Sequence, residues 1–254
     1  MKKFFSSALA RGLFWQLIGI LAGAGLVTGI RGLMGLNMTD TFFFTEPAWV
    51  VGGLVSALFF LVGSGVTGDW IKWMRGIDTP EHHEEHHSGW EKYINLSLDH
   101  KVIGIQYTLV ALVLIGIGGL FALIFRTELA ASELQFLTND VNLFGQNGPD
   151  LYNTLMSLHG MIMIVSILLG ISGIINYVVP LLLGAQDMAF PRLNAFSYWI
   201  AVPAAVLLLM SLFLGGFDTG WTGYPPLSAR APVGMQMFFM GVFLAGLSFI
   251  LGAL

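Results

Sequence analysis

Six stretches of this chain run without a single Asp, Glu, Lys or Arg, at 12–30, 47–67, 102–125, 152–183, 195–216 and 233–254. Each is about as long as the ~20 residues a helix needs to cross the hydrocarbon core of a bilayer. Inside that layer every backbone N–H and C=O must be satisfied by the chain itself, which leaves helices or a closed barrel. Continuous apolar runs of this length read as helices, since barrel strands alternate. The predicted fold class is therefore all-α, a polytopic transmembrane helix bundle of six spans. The fourth stretch exceeds what a span needs, so it tilts or extends beyond the membrane.

Composition agrees. Charged residues make up 10% of the chain, against roughly 25% in soluble domains, and the mean hydropathy is +0.77. Seven Trp and twenty Phe suit interfacial belts and a lipid-facing exterior. The net charge is −4 with no basic run, so nucleic acid is not an expected partner; the bilayer is. The absence of cysteine excludes disulfides, thiolate ligands and a cysteine nucleophile. Lys2, Lys3 and Arg11 precede the first apolar run, as in a signal peptide. That run is span-length and no small-x-small cleavage site follows it, so it reads as an uncleaved span.

Positive charge sets the orientation. Lys2, Lys3, Arg11, Lys72, Arg75, Lys92, Lys101 and Arg192 fall on one side of the predicted spans; Arg31, Arg126 and Arg230 fall on the other. The N-terminus and the loop at 68–101 are expected to face the cytoplasm, in a bacterial-type inner (plasma) membrane. The final stretch, "LSFILGAL", carries no polar anchor, and a helix stopping there would strand its last carbonyls. The chain reads as the first portion of a longer protein.

Inside the spans, His159 in "YNTLMSLHGMIMIVS" is the conspicuous ionisable residue. A histidine there is costly and marks a functional site. A neutral imidazole is also a common haem or metal ligand. The plainer reading is a structural histidine bonded to a neighbouring helix. Asn176, in "GIINYVVP", precedes Pro180, which frees nearby carbonyls; Asp187 and Asn194 follow in "GAQDMAFPRLNAF". The cluster reads as a file of waters at one membrane face or as an ordinary interfacial turn. Arg126 reads as a snorkelling anchor. Trp221 and Tyr224 read as interfacial aromatics in a turn set by Pro225 and Pro226. The segment "EHHEEHH" places His82 and His86, and His83 and His87, four apart, a spacing that binds metal on a helix. Its polar setting between Pro80 and Gly89, with no partners to orient the rings, favours a solvated linker.

"DHKVIGIQY", "RTELA", "LYNTLMSLHGMIMI", "INYVVPLLLGAQDMAFPRLNAFSYW" and "GWTGYPPL" occur in that order. Together they resemble the first four core helices of subunit I of the haem–copper oxidases, the cytochrome c and quinol oxidases, over residues 98 to 254. The resemblance implies His159 as an axial ligand of a low-spin haem. It implies Arg126 at that haem's formyl or equivalent edge, Trp221 near the propionates and, more loosely, Tyr152 nearby. It implies Asp187 as the mouth of a proton pathway narrowed by Asn176 and Asn194, as in an A-type, proton-pumping member. The expected activity is reduction of oxygen to water with electrons from cytochrome c, or alternatively a quinol. Expected partners are further subunits of the subunit II and III types. The family's subunit has twelve core helices, so ligands for a high-spin haem and copper are expected beyond residue 254. Two readings compete with this one: a non-catalytic scaffold derived from the family, and a metal-sensing protein centred on 81–87. The chain divides as 1–67, a two-helix N-terminal membrane extension; 68–99, an acidic, His-rich cytoplasmic linker; and 100–254, a partial oxidase core.

Overall fold

The computed structural model describes residues 2–36, 46–79, 89–133 and 136–253. In chain order the helices are α1 (Lys2–Phe5), α2 (Ala8–Leu33), α3 (Glu46–Ser64), α4 (Gly68–Met74), a 3₁₀ turn (Gly89–Ile94), α5 (His100–Glu128), α6 (Gly148–Leu183), α7 (Pro191–Phe213), α8 (Leu227–Arg230) and α9 (Val233–Gly252). Six of them, α2, α3, α5, α6, α7 and α9, are long and apolar enough to cross a membrane. The described residues form no named strand, and the protein is an all-α, multi-pass membrane bundle.

Local chemistry explains where the spans begin and end. Asp99 caps α5, its carboxylate accepting from Lys101 N at 2.7 Å. Asn147 caps α6 in the same way through Asp150 N at 2.9 Å, and Pro149 occupies a first-turn position where no N–H is needed. Gly184 ends α6 with a left-handed φ of +67°, a conformation glycine adopts freely. The α7 helix starts at Pro191, four residues before its uncharged stretch. Among the described residues of the 68–99 linker there are two short elements, α4 and the 3₁₀ turn. His82, His83, His86 and His87 lie outside the described residues.

The spans pack as three antiparallel pairs held by small residues, as expected where lipid removes any hydrophobic drive between helices. In α2–α3, a Cβ on Gly23 would sit 2.7 Å from the Gly52 Cα. In α5–α6, a Cβ on Gly104 would sit 2.8 Å from the Gly173 carbonyl oxygen. In α7–α9, a Cβ on Gly241 would sit 2.9 Å from the Leu208 nitrogen. Of the three glycines Gly116, Gly118 and Gly119, only Gly118 meets a neighbouring helix; the other two have open space where a Cβ would be. Helix α7 joins the pairs. Its Trp199 lies 6.1 Å from Phe60 of α3, and its Tyr198 lies 5.3 Å from Tyr107 of α5.

Contacts between connecting segments define two ends. At one, Ala8 N donates to Asn95 Oδ1 at 2.9 Å, Arg11 donates to the Ser64 carbonyl at 3.2 Å, and Arg192 donates to Asp69 at 2.8 Å. At the other, Gln146 donates to the Leu212 carbonyl at 2.9 Å, and Phe217 N donates to Thr154 Oγ1 at 3.0 Å. This grouping matches the two sides used to count positive charge.

Candidate functional site

The predicted site residues separate into two groups along α6. His159 and Asn176 are 17 residues apart, about 26 Å along a helix rising roughly 1.5 Å per residue.

His159 defines the first group. Its Nδ1 lies 2.8 Å from the carbonyl oxygen of Gly118 on α5. A carbonyl only accepts, so Nδ1 carries the proton. In the neutral ring that leaves the lone pair on Nε2, the tautomer a metal ligand needs. The centre of the Phe125 ring lies 5.5 Å from that of the His159 ring and 6.1 Å from that of the Tyr152 ring, steeply inclined to both. Tyr152 and His159 are two helical turns apart, on one face of α6. Beside His159, Gly160 makes room for Trp221: a Cβ there would lie 3.4 Å from the Trp221 indole. Trp221 is 49% exposed, and Arg126, in the last turn of α5, is also exposed. The structure therefore brings Tyr152 and Trp221 to the His159 region. Arg126 flanks Phe125 in sequence and points outward.

Asn176 and Asn194 define the second group. Asn176 is fully buried. Its Nδ2 donates to the Ser172 carbonyl at 2.9 Å while its Oδ1 has no partner. Asn194 is 4% exposed, and neither amide atom has a partner. Asp187, in the turn between α6 and α7, accepts from Met188 N at 2.8 Å and is partly exposed. A cavity of about 20 Å³ touches Met188, Phe190, Asn194 and Gly252, room for about one water.

Three hydroxyls extend this group inward, and the sequence reading did not single them out. Tyr107 OH lies 2.8 Å from Ser197 Oγ and 3.3 Å from Ser248 Oγ. Ser197 Oγ donates to the Asn194 carbonyl at 2.7 Å, and Ser248 Oγ donates to the Ser197 carbonyl at 2.7 Å. Gly252 leaves the space open: a Cβ there would sit 3.4 Å from Ser197 Oγ and 3.6 Å from Tyr107 OH. Serines are common packing residues in spans, so only their convergence on one tyrosine distinguishes these two. His100 was also missed. It is buried at the start of α5, and its Nδ1 donates to the Asn176 carbonyl at 2.9 Å.

At the opposite end, buried Glu128 accepts from the Phe136 and Leu137 backbone N–H groups, both at 3.1 Å. It borders a pocket of about 360 Å³ that reaches Tyr152 and Asn153.

Residues 102–254 match the family described as Cytochrome C and Quinol oxidase polypeptide I. Cytochrome c oxidase subunit 1 of Thermostichus vulcanus is 44% identical over 182 residues, covering 70% of this chain and 31% of that protein. Cytochrome c oxidase subunit 1 of a Synechocystis species is 42% identical over 167 residues, covering 65% and 28%. Heme-copper oxidase subunit I+III of Aeropyrum pernix is 38% identical over 162 residues, covering 61% and 19%. The chain thus spans less than a third of the length of each of these relatives. The matched region runs from α5 to α9 and holds both groups of site residues, and on that match the chain belongs to the cytochrome c and quinol oxidase polypeptide I family, the oxidoreductase subunit I of the haem–copper oxidases.

Proposed function

We propose that this chain supplies the low-spin-haem ligand and the proton-uptake end of a respiratory terminal oxidase that reduces oxygen to water and pumps protons. The single observation that carries the reading is the His159–Gly118 hydrogen bond, which fixes the ring with Nε2 available. The surroundings suit a large, flat, apolar group. The Phe125 ring stands between those of Tyr152 and His159, steeply inclined to each, Trp221 packs over Gly160, and Arg126 offers an exposed cation for an anionic or polar edge. His159 would hold the iron, with Arg126, Trp221 and Tyr152 around the macrocycle; a low-spin haem bound there supplies one-electron transfer. Ligands for a high-spin haem and for copper are assigned to the remainder of a longer subunit.

At the other end, Asp187 takes protons from the cytoplasmic side. Asn176 and Asn194 hold unpartnered amide atoms in buried positions, and such atoms are satisfied by water. The Tyr107, Ser197 and Ser248 hydroxyls continue the line of hydrogen-bonding groups past Asn194. The cytoplasmic placement follows from the positive residues gathered at that end of the bundle, Arg11, Lys72 and Arg192 among them. Cytochrome c is the proposed donor, with quinol as the alternative; the names of two relatives favour the former. Other oxidase subunits, of the subunit II and III types, are the proposed partners, in a bacterial-type plasma membrane.

The test is His159→Ala in the complete oxidase, read by the reduced-minus-oxidised spectrum. The low-spin band is expected to disappear. An intact band would remove the ligand assignment and leave the non-catalytic scaffold as the better reading.

A further inference from the structure

Residues 68–79 precede the stretch 102–254 that matches the family description, and they grip the first turn of α7. Arg192, the second residue of that helix, donates from Nε to Asp69 Oδ2 at 2.8 Å. Its Nη2 donates to Thr79 Oγ1 at 3.2 Å, and its guanidinium lies 5.1 Å from the centre of the Trp73 ring. Trp73 Nε1 donates to the same Thr79 hydroxyl at 2.8 Å. Trp70 meets Phe196 edge-on at 4.7 Å. The Asp69 and Arg192 side chains are only 15% and 18% exposed, so the pair is better shielded than a surface ion pair. Lys72 also reaches this carboxylate; it is 51% exposed and 3.5 Å from Oδ1.

This grip matters because of where it falls. The α7 N-cap is Phe190, which makes no capping bond. The N-cap residue of α7 thus gives no side-chain anchor of the kind that Asp99 gives α5 and Asn147 gives α6. Arg192 stands between Asp187, five residues before it, and Asn194, two residues after it. Its fork of donors ties that segment to Asp69 of α4 and to Thr79 beyond the end of α4.

We propose that Asp69 is a positioning residue for proton uptake: acting through Arg192, the segment 68–79 holds the α6–α7 turn so that Asp187 and Asn194 keep their relative places. This rests on the proton-uptake reading of Asp187. Asp69 touches no reacting group itself, so removing it slows proton uptake without disturbing haem binding or electron delivery.

The experiment uses the complete oxidase. Asp69→Asn, Asp69→Glu and Asp187→Asn are compared in the reaction of the reduced enzyme with oxygen. Proton uptake is followed with a pH dye, and haem reduction by the donor is timed separately. Asp69→Asn is expected to slow proton uptake about fivefold, in line with the net worth of one ordinary hydrogen bond, while the haem spectrum and the haem reduction rate stay unchanged. Asp69→Glu keeps the charge and is expected to recover most of the rate. Thr79→Val, which removes one Arg192 acceptor without altering charge, is expected to slow uptake less; it serves as well if Asp69→Asn does not assemble. Unchanged uptake in both Asp69→Asn and Thr79→Val overturns the proposal. So does a slowing matched by lost haem signal, or no recovery in Asp69→Glu. If Asp187→Asn takes up protons normally, the underlying proton-uptake reading is what fails. If only Asp187→Asn is slow, that reading stands and Asp69 has no part in it.

Discussion

His100 donates through Nδ1 to the carbonyl of Asn176 at 2.9 Å, and both residues are buried. Pro180 explains the contact. It sits four residues after Asn176 inside α6 and has no N–H, so that carbonyl lacks its helical donor. A side chain from α5 fills the gap. His100→Ala is therefore expected to lower stability by about 1–3 kcal/mol, the cost of an unsatisfied buried acceptor. Adding Pro180→Ala restores a backbone donor, so the double variant should regain most of that loss. Thermal unfolding of the four proteins measures the coupling. If His100→Ala costs as much in the Pro180→Ala background as alone, the carbonyl does not depend on His100.

Gly160 is where Trp221 closes on the His159 group: a Cβ there would touch the Trp221 indole at 3.4 Å. A leucine at this position must push Trp221 away. Gly160→Leu should therefore reduce haem content and shift the low-spin band, although His159 remains. Gly119→Leu is the control, because nothing lies within 4 Å of a Cβ there. Equal spectra for the two variants would detach Trp221 from the haem site.

Most of the fold was legible because lipid is an unforgiving solvent. Six uncharged stretches of span length leave few alternatives to six helices, and the observed spans fall on them. His159 was legible for the same reason: an ionisable group in a span must be accounted for, whether by a ligand or by a partner. Ser197, Ser248 and Tyr107 were not. A hydroxyl in a span bonds as readily to a backbone carbonyl of its own helix as across helices, and Ser211 and Ser166 do only the former. Their meeting depends on three helices converging. The Asp69–Arg192 pair was hidden by distance: its members are 123 residues apart, and each alone resembles a solvated surface charge.

Asp187 is the partly exposed carboxylate nearest in sequence to the buried asparagines. Asp187→Asn removes the carboxylate and keeps the shape. Proton uptake should slow by at least tenfold, about 1.4 kcal/mol or more of added barrier, and protons pumped per electron should fall. Dye-monitored uptake in vesicles reports both quantities. A proton yield equal to that of the unaltered enzyme would remove Asp187 from the pathway.

The leading pair α2–α3 is held by backbone against backbone. A Cβ on Gly23 would lie 2.7 Å from the Gly52 Cα and 2.8 Å from the Gly52 nitrogen and the Val51 carbonyl oxygen. None of these atoms belongs to a side chain that could turn aside. Gly23→Leu must therefore separate the helices, and no hydrophobic drive exists in lipid to draw a parted, close-packed interface together again. A loss of about 1–3 kcal/mol is expected, as for other overpacked sites. Gly29, on the same helix, has nothing within 4 Å of a Cβ, and Gly29→Leu should leave stability nearly unchanged. Thermal unfolding in detergent compares the two. The haem spectrum should be normal in both, because Gly23 and Gly52 lie outside the region that carries His159. If Gly23→Leu unfolds at the temperature of Gly29→Leu, the close approach of α2 and α3 is not what joins them.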